Sequence, residues 1–257
     1  MAAPASPECA PTCSISVVVP ALNEEQGLTG TLAAIWRQGP RPCEVVVVDG
    51  GSVDATVAAA EAAGARAVRG PRGRARQMNA GAAECSGEVL LFLHADTELP
   101  PGALEAVERA LANPAVLGGC FTLRFDAQEG SAALRLWSWC TRCWLLRTPR
   151  LVFGDRAIFV RRSVFEELGG YSDWPILEDL DFAMRLAAKG PGAFAFLPAA
   201  VTTSARRLLE VGPVAQQLLN TSIVILWYCG LSPETLKGLY RYSMPRLAGR
   251  TPNDTAS

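Results

Sequence analysis

The sequence predicts an α/β domain built on a mostly parallel sheet flanked by helices. Strand-length apolar runs that do not alternate with polar residues are the first observation behind this: SISVVVP (Ser14 to Pro20), EVVVVD (Glu44 to Asp49) and VLLFLHAD (Val89 to Asp96). Such runs read as strands buried on both faces, the mark of a parallel sheet covered by helices. The second observation is that helical patterns separate these runs, so strand and helix alternate and right-handed crossovers are the economical topology. At 257 residues the chain suits one large domain.

The elements follow in order. The first run leaves through Ala21, Leu22, Asn23, Glu24 and Glu25, where Asn23 is expected to cap a helix with Gln26 completing a capping box. Leu28, Leu32 and Ile35 then share one face. The second run ends at Asp49, Gly50 and Gly51 make a sharp exit, and Ser52 or Asp54 caps an alanine-rich helix that ends at Gly64. A third strand, Ala65 to Arg69, leads through a basic loop with Arg72, Arg74 and Arg76 into a helix reaching Cys85. In VLLFLHAD, His94 and Asp96 fall at the strand's carboxyl end and, two apart, on the same side. Open α/β sheets bind ligands at that edge, where a carboxylate can hold a divalent cation against a phosphate. An ordinary N-cap is the alternative reading of Asp96.

Further along, a helix is expected from Pro101 to Asn113, a strand from Gly118 to Asp126, and a tryptophan-rich helix from Leu134 to Leu146. FGDRAIFVRR (Phe153 to Arg162) supplies a short strand, and Ser163 caps a helix stopped by Gly169 and Gly170. In DWPILEDLDFAMRL (Asp173 to Leu186), Pro175 suits a first helical turn, and Glu178, Asp179 and Asp181 crowd the start, where carboxylates complement the helix dipole. Asp181 with Arg185 is an i, i+4 pair. Asp179 lies beside the apolar stripe of Leu180, Met184 and Ala187, at a margin that can face a cleft. Residues 211–247 are expected to be helices packed on the domain, and residues 1–13 and 248–257 flexible tails.

Several classes are excluded by composition and missing motifs. A formal net charge of −1 leaves no overall basic surface for nucleic acid. Apolar residues make up 49% of the chain, yet no run of about 18 is uninterrupted, so no spanning helix is expected. Ile223 to Tyr228, preceded by polar residues, reads as a buried or interfacial helix. The start lacks a secretory pattern, and eight scattered cysteines then suggest reduced thiols and a cytoplasmic setting. Cys140 and Cys143 form one C-x-x-C, half the ligand set of a structural zinc, in a chain with a single histidine; packing is favoured over a redox role. There is no G-x-G-x-x-G, G-x-x-x-x-G-K-[ST] or G-x-S-x-G. A phosphate would therefore be met by the Arg72, Arg74 and Arg76 loop or by a metal at Asp96.

PALNEE, VVDGGSVDAT, RARQMNAGA, LFLHADT and GGY…LEDLDFAMRL occur in the order found in family 2 glycosyltransferases, and the resemblance spans roughly Ser14 to Arg207. With FGDRAIFVRR, WPILEDLD and TSARR, the string is most similar to a subgroup named for arsenosugar biosynthesis. The resemblance implies a single GT-A domain with a Rossmann-like sheet and a C-terminal helical segment, a nucleotide-binding half at 14–100 and an acceptor half at 101–210. It further implies transfer of a sugar, inverting and metal-dependent, from a nucleoside-diphosphate sugar, with UDP favoured, to a small-molecule or lipid-linked hydroxyl. Pro20, Ala21, Asn23, Glu24, Asp49, Asp54, Arg76, Asn79 and His94 would bind the donor nucleotide. Asp96 matches the second aspartate of the family's D-x-D and would hold Mg2+ or Mn2+, while His94 replaces the first. Asp179 matches the catalytic base. Arg74, Asp155, Trp174, Glu178, Arg206 and Arg207 are candidates for the diphosphate or the acceptor, and Leu208 stands where many relatives carry tryptophan. A nucleotide-sugar-binding subunit without turnover remains the rival, with His94 in its favour. A third reading lays Leu218 to Leu231 on a membrane as a peripheral contact.

Overall fold

In the computed structural model, residues 14–126, 132, 135–136, 139, 147–152 and 154–247 are described. The two tails, the pair Cys140 and Cys143 and most of the tryptophan-rich segment lie outside them.

The apolar runs become the middle of an eight-stranded sheet. Strands β1 (Ile15–Ala21), β2 (Glu44–Asp49), β3 (Arg66–Arg69) and β4 (Val89–Phe92) alternate with helices α1 (Glu25–Trp36), α2 (Thr56–Ala62) and α3 (Arg74–Glu84). Then come β5 (Thr97–Glu98), α4 (Ala103–Leu111), β6 (Gly118–Phe125), β7 (Ile158–Arg161), α5 (Arg162–Glu167), α6 (Glu178–Ala187) and β8 (Phe194–Thr203). Helices α7 (Arg206–Val211), α8 (Pro213–Tyr228) and α9 (Pro233–Leu247) close the chain. The strand order is β3-β2-β1-β4-β7-β6-β8-β5. The first four are parallel, and β7 runs antiparallel to both β4 and β6.

Neighbouring residues of one strand feed two different cores, which is why these strands lack alternation. Val17, Val19, Val45, Val47 and Leu91 pack with Leu28, Leu32, Leu104 and Val107 on the α1 and α4 face. Val18, Val46, Val48, Leu90 and Phe92 pack with Met78, Phe165, Phe182 and Leu186 under α3, α5 and α6. All ten strand residues are buried, so polar chemistry on this part of the sheet is confined to strand ends. A third cluster, Leu177, Leu180, Ile223, Val224 and Leu236, fastens α8 and α9 to the start of α6.

Four local expectations give way to tertiary contacts. Asn23 caps nothing: it sits at φ +55° with its Oδ1 accepting from Val53 N at 3.0 Å, and α1 starts at Glu25 without a side-chain cap. Ser163 lies inside α5, whose N-cap position is Arg161. Pro175 precedes α6, which begins after Leu177 at φ +65°. The basic loop is shorter than expected, because Arg74 and Arg76 already belong to α3.

Helix α3 lies so close to the sheet that a Cβ on Gly81 would collide with Val18 Cγ1 and Val48 Cγ2. Gly to Ala in a helix interior ordinarily gains about 1 kcal/mol. Here overpacking costs about 1–3 kcal/mol and wins. Gly81→Ala should therefore lower the denaturant midpoint, and adding Val48→Ala should restore part of the loss; a Gly81→Ala protein as stable as the parent would contradict this packing.

Candidate active site

One cleft of about 1590 Å3 opens at the carboxyl ends of β1 and β4 and runs across to α8 and α9. It is bordered by Pro20, Ala21 and Glu24 after β1, by Arg72, Arg74 and Arg76 at the start of α3, and by His94 and Asp96 after β4. Asp155, Trp174, Asp179 and Arg206 complete the predicted residues on its wall.

β4 ends at Phe92 and Leu93 N still bonds to Val18 O at 3.0 Å, so His94 and Asp96 stand in the turn just beyond the ladder. Both are half-buried. The turn is tied down from the far side of the sheet: Thr97 pairs with Thr203 in register, their hydroxyls lie 2.9 Å apart, and Ser204 N donates to Asp96 O at 3.2 Å. This contact brings the TTSARR stretch, and with it Arg206, to the same cleft as Asp96. The side chain of Arg207 lies outside what is described.

On the opposite wall, Leu177 in the left-handed region turns the chain into α6 so that Glu178 and Asp179 open the helix; they are 1% and 4% exposed. Such burial requires compensation, and Arg74 Nε supplies it at 2.8 Å from Glu178 Oε1. Burial alone would lower the Arg74 pKa, but the charges of Glu178, Asp179 and Asp155 outweigh it and hold the guanidinium above its usual value. Asp179 Oδ1 accepts from Leu180 N at 2.8 Å. Asp155, in the 3-10 turn Gly154–Arg156, has its carboxyl raised above the usual range by burial, opposed by Arg156 and reinforced by Asp96. Its Oδ1 is buried and has no hydrogen-bond partner among the described residues. Arg76 holds Asp173 through two bonds of 2.7 and 2.8 Å, tying α3 to the loop that carries Trp174. Trp174 meets Trp227 of α8 edge-on, with ring centroids 6.2 Å apart.

Other predicted residues stand off the wall, held by the loops. Asp49 accepts from Ser52 N at 3.0 Å and Gly51 N at 3.2 Å. Asp54 accepts from Thr56 N at 3.0 Å, at the head of α2. Asn79 trades two bonds with the Tyr171 backbone, and Asn23 serves Val53 as described. Glu178 is occupied by Arg74. Sequence reasoning missed Gln77, whose Nε2 donates to Ala21 O and Val48 O at 2.8 Å each and so clamps the ends of β1 and β2 beneath the cleft. It missed Arg156, 4% exposed on the wall, and the contributions of α8 and α9. Gln77 stood in the quoted RARQMNAGA, but nothing in its spacing pointed inward.

A divalent cation fits this edge if it shares its coordination with a ligand's phosphates. Among the described residues no three His, Cys, Asp or Glu side chains form a metal cage, whereas Asp96 stands half-buried on the wall and Asp155, which has a buried carboxylate oxygen without a partner among them, borders the same cleft. Mg2+ and Mn2+ are commonly held by one or two carboxylates plus substrate oxygens.

The pattern of the family described as glycosyl transferase family 2 matches residues 16–169. An uncharacterized glycosyltransferase of Mycobacterium bovis is 30% identical over 190 residues, covering 69% of this chain and 80% of its own length. An uncharacterized protein of Mycobacterium tuberculosis is 28% identical over 252 residues, covering 87% and 78%. Among solved structures, glucosyl-3-phosphoglycerate synthase from M. tuberculosis, in complex with Mn2+, UDP and glucosyl-3-phosphoglycerate, superposes with TM-score 0.56 at 23% identity over 85% of this chain and 81% of that one. The mannosyltransferase PcManGT from Pyrobaculum calidifontis, in complex with GDP-Man and Mn2+, gives TM-score 0.61 at 20% identity, covering 92% and 72%. Those two likenesses establish the shared fold, and the family match spans more than half of the residues; the chain belongs to glycosyl transferase family 2.

Proposed function

We propose that this glycosyltransferase moves a sugar from a nucleoside-diphosphate sugar, preferably a UDP-sugar, to an acceptor hydroxyl with inversion at the anomeric carbon, using a divalent cation held at Asp96. The single observation that carries the reading is that Asp96 and Asp179, from opposite walls, border one cleft. The solved relatives carrying UDP or GDP-Man together with Mn2+ support the donor class. The narrower likeness to the subgroup named for arsenosugar biosynthesis rests on the fuller string of motifs, including FGDRAIFVRR, WPILEDLD and TSARR.

Residues after β1 and at the start of α3 would bind the nucleotide, in a nucleotide-binding half ending near residue 100. Asp179 takes the proton from the acceptor hydroxyl as its oxygen bonds to the anomeric carbon, while the bond from that carbon to the diphosphate breaks on the far side. A single carboxylate suffices because the departing diphosphate needs charge neutralised rather than a proton delivered. Arg206 and Arg72, both exposed on the wall and without a carboxylate partner among the described residues, would meet that charge. The cation, when bound, would add Lewis-acid stabilisation of the same diphosphate. Asp155, whose carboxyl feels the Asp96 charge, and Arg156 line the same cleft.

Asp179→Asn should leave donor affinity intact and lower transfer by roughly 10²–10⁴-fold, the usual worth of a positioned base. Turnover close to the parent's would remove Asp179 from the reaction. Calorimetric titration of UDP should lose at least about tenfold in affinity when a chelator is present and equally in Asp96→Asn, as expected where a carboxylate and phosphates share the ion. Unchanged affinity in both cases would take the metal away from Asp96.

A further inference from the structure

The cleft also extends between the last two helices, where its wall includes Gln216 and Asn220 of α8 and Lys237, Tyr240 and Arg241 of α9. Gln216 is 3% exposed, yet its Oε1 has no hydrogen-bond partner among the described residues. The amide is not loose: Nε2 donates to Asn220 Oδ1 at 2.8 Å and lies 3.2 Å from Tyr240 Oη. A buried acceptor atom left unmatched is costly, and a ligand hydroxyl donating to it would remove that cost. Charge at this end is one-sided. Lys237 and Arg241 border it against Glu234 as the carboxylate α9 contributes, and Arg241 has no ion pair among the described residues. Lys237 Nζ donates to Pro175 O at 3.2 Å, which holds the ammonium at the mouth beside the Trp174 loop.

Resting on the glycosyltransferase reading above, we infer that this end is the acceptor subsite and that it takes an alcohol carrying a phosphate or carboxylate group, the hydroxyl directed to Gln216 and the anion to Lys237 and Arg241. Helices α8 and α9 are fastened to the start of α6, on the Asp179 wall, opposite the Asp96 edge where the donor diphosphate would lie.

Calorimetry with glycerol 3-phosphate and with glycerol, each titrated into protein with and without UDP and Mn2+, tests this. The ester should bind at least about tenfold tighter than glycerol, the scale of one charge-assisted contact. Lys237→Ala/Arg241→Ala should erase that margin while UDP affinity and the unfolding midpoint stay put, and Lys237→Arg should keep it. Gln216→Met should weaken both alcohols several-fold. Vesicles of phosphatidylcholine with or without phosphatidylglycerol separate the two sources of the anion: retention on the anionic vesicles alone, lost in the double variant, assigns it to a lipid headgroup. The inference is overturned if glycerol matches the ester and the vesicles are not distinguished, or if the double variant keeps the preference. Absence of UDP and GDP binding with Mn2+ would instead strike the donor reading, and leaves the ester measurement without nucleotide to stand by itself.

Discussion

Arg74 reaches from the first turn of α3 to Glu178 at the head of α6, and this 2.8 Å pair is the condition under which the cleft can exist. Asp155 and Asp179 are drawn into the wall with Glu178 just behind it, and each carboxylate would resist losing water while charged. The guanidinium interacts with all three, so its charge offsets their mutual repulsion and the cost of burying Glu178. The helix dipole helps, since Glu178 and Asp179 occupy the positive end of α6. Taking the guanidinium away would leave Glu178 buried without its counter-charge.

That pair also joins the two halves of the molecule. Helix α3 belongs to the parallel β1–β4 part and α6 to the part that returns antiparallel through β7. Two further ties run the same way: Arg76 to Asp173, and Asn79 to the Tyr171 backbone. Together they place three residues of one helix, at 74, 76 and 79, against the segment leading into α6. The cleft is therefore a seam with a fixed width rather than a gap between independent bodies.

The seam is closed at its other end by apolar packing. Leu177 and Leu180 are buried against Ile223, Val224 and Leu236, so the same few residues that begin α6 both present Asp179 and anchor the C-terminal helices. Val214, Leu218, Ile225 and Tyr228 remain exposed on α8, at the spacing of one helical face. No helix among the described residues is long and apolar enough to cross a membrane.

The sequence by itself determined the sheet's interior and its polar edge. Runs such as EVVVVD admit no other burial, because each valine must leave water on whichever face it points to, and the polar residues that end them are forced to the rim. Motif order identified Asp96 and Asp179 as residues to watch. What only the tertiary structure decided was which side chains turn toward the cleft. Asp49 and Asn79 are spent on neighbouring backbone, and Asn23 leaves its own helix to serve Val53. β8 escaped notice because Pro198 and three alanines mask its pattern, and β5 because two residues carry none. Yet their pairing fixes Asp96 beside Arg206. Such contacts join residues about a hundred positions apart, and local periodicity holds no record of a partner that only folding brings near.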